Sequence, residues 1–111
     1  MMINSTWDVA VARNTCRKLI LGEKLPPSLC ASAVAAIAVF GEFILQTHAT
    51  GSLEVKVIPQ QGKSGVDLIC SIALNDGQPL PLDALRQQLT RVTETFDIYN
   101  QGHQLEITAH F

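Results

Sequence analysis

The stretch from Leu29 to Leu45 is apolar nearly all the way round a helix, and this limits most what the chain can fold into. Pro26 and Pro27 suit the first turn of such a helix, and the spacing carries it to about Thr47. Val34, Ile37, Ala38, Gly41, Ile44 and Leu45 make one stripe, while Val39, Phe40 and Phe43 fill much of the rest. A helix of this kind needs cover on more than one side. As a membrane span it is interrupted by Ser32, Gly41 and Glu42, falls short of the roughly 20 residues a span needs, and lacks basic flanks. The expectation is a buried core helix and no membrane.

The flanking sequence supplies the cover. Upstream, Asp8 reads as an N-cap, Val9, Ala12, Cys16, Leu19 and Ile20 share one helical face, and Gly22 reads as the stop. Downstream the hydrophobic period changes to two. Leu53, Val55 and Val57 alternate with Ser52, Glu54 and Lys56, and Pro59 is expected to end that strand. Gln60 to Gly65 reads as a hairpin loop, after which Val66, Leu68, Cys70 and Ile72 mark a second strand to about Leu74. A turn cluster from Asn75 to Pro79 leads to a third helix from about Leu82 to Thr95, spaced by Leu82, Leu85, Leu89 and Val92. Phe96, Ile98 and Tyr99 form a short strand, Asn100-Gln101-Gly102 turns the chain, and Leu105, Ile107 and Ala109 mark the last strand.

The order α-α-β-β-α-β-β, with a short strand in Met2 to Thr6, predicts an α/β (α+β) two-layer sandwich. Its antiparallel or mixed sheet is covered on one face by three helices and wet on the other. At 111 residues this is a single domain, 1–111.

A net charge of -2 and the lack of a basic stripe exclude a nucleic-acid binder. Arg13, Arg17, Lys18 and Lys24 form only a local patch. Cys16, Cys30 and Cys70 are odd in number and each lies in an apolar stretch, so they read as buried free thiols in a reducing, cytoplasmic compartment. Neither they nor His48, His103 and His110 have zinc-ligand spacing, and no metal is expected. Met1 to Trp7 has neither the basic start nor the apolar run of a signal peptide.

Several segments, in order and spacing, resemble the small serine kinases of bacterial partner-switching systems. These are the RsbT-type kinases and related anti-sigma factors of the GHKL (histidine-kinase-like) ATPase superfamily. Trp7 to Arg13 is similar to the start of that family's first helix. Ala36-Ile37 and Phe40 to Ile44 fall on its magnesium-binding helix, and Gly51 to Val57 and Val66 to Ile72 follow its next two strands. Leu89 to Ile98 is similar to its last helix and following strand, and Gly102 to Ile107 to its closing strand. The resemblance implies a GHKL-type fold and, for Arg13 on the first helix, contact with a STAS-domain antagonist or a sigma factor; the plainer reading of Arg13 is a solvated helical charge. Arg17, one turn on, joins Arg13 as a candidate partner-binding residue.

Departures from the family fall on every element that handles nucleotide. The activating glutamate and the magnesium-holding asparagine are replaced by Val39 and Phe43, and a hydrocarbon cannot ligate a hard cation. The family's adenine-binding Asp-x-Gly-x-Gly is represented only by Asp76-Gly77, at altered spacing and better read as a turn. The glycine-rich lid is missing, with only Leu80 to Leu85 before the third helix. Phe43 is expected to fill the collapsed cavity, and Glu42 to lie on an exposed edge or be paired. The implied function is a non-catalytic regulatory interaction domain without cofactor. Its partner is a STAS-domain protein, a sigma factor, an active paralogue or a second copy of the chain. The competing reading is an ATP-dependent serine kinase with a rearranged site, which phosphoryl transfer without positioned metal and phosphate contacts disfavours.

Overall fold

The computed structural model describes residues 1–23, 25–47, 50–60, 63–73, 81–93 and 95–111. In chain order the elements are β1 (Met2–Ile3), α1 (Thr6–Gly22), α2 (Pro27–Gln46), β2 (Thr50–Gln60) and β3 (Lys63–Ala73). There follow α3 (Leu82–Thr90), β4 (Thr95–Gln101) and β5 (Gln104–His110). The strands form one sheet in the order β1-β2-β3-β5-β4, and every pairing is antiparallel.

Alternation decides which face of the sheet is dry. Leu53 on β2, Val66, Leu68, Cys70 and Ile72 on β3, and Leu105, Ile107 and Ala109 on β5 are all buried. They meet Ala12, Cys16 and Ile20 from α1, Leu85 and Leu89 from α3, and the long row of α2 residues that includes Ile37, Phe40 and Ile44. The helices thus make one layer and the sheet the other. By length and composition α2 could cross a membrane, with a mean hydropathy of 2.0, but half of that window is buried within the fold. The sheet, α1 and α3 are the cover that its all-round apolar character calls for.

Several boundaries differ from the sequence expectation, each for a physical reason. The N-cap of α1 is Ser5, and Asp8 stands three residues inside the helix. Ser5 Oγ accepts from the Asp8 N–H at 3.3 Å, which caps the helix, and Asp8 Oδ2 accepts from the Asn4 N–H at 2.8 Å, tying down the residue before the cap. β2 does not stop at Pro59 but continues to Gln60. Leu53 exchanges hydrogen bonds with Met1 on the outer side of β2, and by period two the nitrogen of Pro59 also faces outward, so the inner ladder loses no donor. β2 and β3 accordingly extend to Gln60 and from Lys63, leaving a connection shorter than Gln60 to Gly65.

α3 ends at Thr90 and not at Thr95. The Thr93 hydroxyl donates to the His110 carbonyl at 2.6 Å, pulling the chain onto β5 before another turn can form. The last hairpin is tighter than Asn100-Gln101-Gly102 suggested: Gln101 still pairs with Gln104, and Gly102 takes φ +59°, a conformation glycine adopts without strain.

Candidate functional site

α1 lies on α2, and its buried residues Ala12, Cys16 and Ile20 recur every fourth residue. That choice of buried face leaves Arg13 and Arg17, each one residue further round the helix, on its shoulder beside α2. A cleft of about 540 Å³ opens where Val9, Ala10 and Arg13 face Ala38, Glu42 and Leu45. A second, of about 420 Å³, continues where Arg13 and Arg17 face Ala31, Val34 and Ala35. Arg13 lines both. The result is one groove with an alanine floor from α2 and a cationic wall from α1.

Among the described residues neither arginine has a hydrogen bond or an ion pair. Glu42 is exposed at the other end of the groove and accepts from Gln46 Nε2 at 3.1 Å. Arg13 and Arg17 were readable from the sequence as neighbours one turn apart. The alanine floor was not, because Ala31, Ala35 and Ala38 are equally at home inside a core.

Of the two residues that the sequence resemblance set at the glutamate and asparagine positions, Val39 is half-buried against the core and Phe43 is buried. Neither offers oxygen or nitrogen. Asp76 and Gly77 lie outside the described residues, as do Lys24 and His48.

The open face of the sheet carries a second polar grouping that sequence reasoning missed. His110, at the end of β5, is held between carboxylates of the two neighbouring strands: Nδ1 is 2.8 Å from Asp67 Oδ1 and Nε2 is 3.2 Å from Asp97 Oδ2. The Asp67 bond, then the Asp97 bond, holds the imidazole above its ordinary titration range, and a ring that donates at both nitrogens is the cation. Period two placed all three residues on the wet face. Their adjacency depends on the order β3-β5-β4, which alternation does not encode. With Glu54 and Glu106 against Lys56, this face is anionic, opposite in sign to the shoulder of α1.

The three thiols are buried. Burial and then the neighbouring Cys30 push Cys16 up to about 11, and burial pushes Cys70 up to about 12, so neither is a nucleophile at neutral pH. No family model, no curated protein and no solved structure matches this chain.

Proposed function

We propose that this chain is a non-catalytic regulatory domain of the bacterial partner-switching type, a degenerate relative of the GHKL ATPases that acts in the cytoplasm. It binds protein through the α1–α2 groove and no longer binds nucleotide. The observation that carries this reading is the pair of unpartnered arginines, Arg13 and Arg17, along a groove floored by alanine. Small residues let a partner backbone come close, and two free guanidinium groups select an anionic one. A STAS-domain antagonist, a sigma factor or an active paralogue presenting an acidic helix would meet both demands. The loss of polar groups at Val39 and Phe43 supports the absence of nucleotide, since nothing there would position magnesium.

Two measurements test the proposal. Calorimetry with magnesium and ATP or ADP is expected to give no binding heat, and clear magnesium-dependent binding would restore the kinase reading. Purified STAS-domain and sigma-factor candidates are expected to bind the wild-type chain and to bind a double variant, Arg13→Glu with Arg17→Glu, at least tenfold more weakly. Equal binding by the two chains would remove the groove from the mechanism.

A further inference from the structure

β4 is the last strand of the sheet, and among the described residues nothing pairs with its outer side. Which backbone groups face that side follows from the ladder. Val66 and Phe111 exchange hydrogen bonds at 3.0 and 2.8 Å, so the odd-numbered residues of β5 turn their amides toward β3 and the even-numbered ones toward β4. Thr95, Asp97 and Tyr99 stand opposite His110, Thr108 and Glu106 and therefore bond inward. Phe96, Ile98 and Asn100 send their N–H and C=O groups out of the sheet.

The two edges of the sheet are guarded differently. The outer side of β2 is capped by β1 and Met1, then carries the nitrogen of Pro59 and the exposed Lys56. Those are ordinary defences against a further strand. β4 has no proline, no lysine and no bulge. Phe96 and Ile98 are only half-buried, and Tyr99 is 61% exposed.

We propose that β4 pairs with β4 of a second copy, antiparallel about a two-fold axis through Ile98, so that two five-stranded sheets become one. Ile98 is the middle residue of the strand, and this register brings the whole strand into the new ladder. Ile98 meets Ile98 of the second copy, and Phe96 meets Asn100 of the second copy, as hydrogen-bonded pairs. Asp97 then faces Tyr99 of the second copy in a non-hydrogen-bonded pair, where side chains stand closest.

The strand's only charge thus meets a phenol. One Asp97 oxygen is engaged by His110, and the other remains for the tyrosine hydroxyl. A register centred on Asp97 would oppose two carboxylates. The self-complementarity of this register favours a second copy over an unrelated strand, and the two-fold closes the assembly without a fibre.

Sedimentation velocity on the full chain, with Tyr99→Asp and Tyr99→Lys alongside, tests the pairing. Because Tyr99 is exposed, both variants keep the fold, which a thermal melt verifies. The wild type is expected to dimerise with concentration. Tyr99→Asp, which sets carboxylate against carboxylate at two symmetric positions, is expected to weaken the dimer roughly tenfold. Tyr99→Lys, facing Asp97, is expected to keep or tighten it. Hydrogen exchange at the Ile98 amide is expected to slow as dimer forms. The pairing is overturned if the chain is a monomer throughout its soluble range, if the two variants behave alike, or if Ile98 exchange ignores concentration. A dimer broken instead by Ala35→Glu, in the α1–α2 groove, would overturn it as well.

Discussion

Val9 lies against Gly41 so closely that a Cβ placed on the glycine would stand 2.5 Å from Val9 Cγ2 and 2.8 Å from Cγ1. This contact sets how near α1 comes to α2, and so how wide the arginine-lined groove can be. Alanine is the better helix former by about 1 kcal/mol, so Gly41→Ala would stabilise an isolated helix. Here the short, stiff valine cannot swing aside. Gly41→Ala is expected to destabilise the domain by about 1–3 kcal/mol in urea denaturation. Adding Val9→Ala should return part of that loss; a single variant as stable as wild type would mean that the helices shift freely.

Phe43 is buried in the core, on the face of α2 that the fold covers. Phe43→Ala is expected to cost about 3–5 kcal/mol, read by the shift of the urea midpoint. The double change Val39→Glu with Phe43→Asn introduces the two polar residues that the proposed GHKL relationship calls for, but sets them among hydrocarbon. It is expected to lower the melting temperature without producing any heat on titration with magnesium and ATP. Acquired nucleotide binding would show that the site is intact apart from these two residues.

The Asp67–His110–Asp97 bridge makes stability depend on pH. Its two carboxylates come from β3 and β4, and Lys56 on β2 stands opposite Asp67. The folded state raises the His110 pKa, so the protonated ring stabilises the fold fully below the ordinary histidine value of about 6.5. That contribution fades as pH rises through the raised value. Unfolding free energy is therefore expected to fall as the pH climbs above about 6.5 and through the raised value. His110→Gln should flatten this part of the profile, and an unchanged slope would contradict the bridge.

Ser5→Ala removes the acceptor that caps α1 and is expected to cost about 1 kcal/mol. Asp8→Asn keeps an acceptor but removes the charge at the helix N-terminus, and a smaller loss, about 0.5 kcal/mol, is expected. Thermal unfolding of the two variants gives the comparison, and a larger effect at Asp8 would assign it the capping role that the sequence first suggested.

Much of the fold could be read before it was seen because long segments carry unambiguous periods. Val66, Leu68, Cys70 and Ile72 are buried as alternation requires, and α2 spans what its prolines and apolar run suggested. The errors fall where distant partners decide. The spacing of Leu85, Leu89 and Val92 would carry α3 onward, but Thr93 is bonded to His110, seventeen residues away. Pro59 stays in a strand because its missing N–H faces an edge, a property of the ladder and not of the residue. Helix spacing put Arg13 and Arg17 off the apolar face of α1, and the family resemblance singled out Arg13. The groove beside them was not legible, because it depends on the approach of Val9 to Gly41. The His110 bridge needed the strand order β3-β5-β4.

Two sealed thiols give this domain a built-in clock. A thiol reagent is expected to reach Cys16 when α1 lifts and Cys70 only when the middle of the sheet parts. Under conditions where closing outruns reaction, each labelling rate measures the free energy of its own opening. Mass spectrometry of one sample could then rank helix detachment against sheet rupture, with and without a bound partner, using no introduced probe.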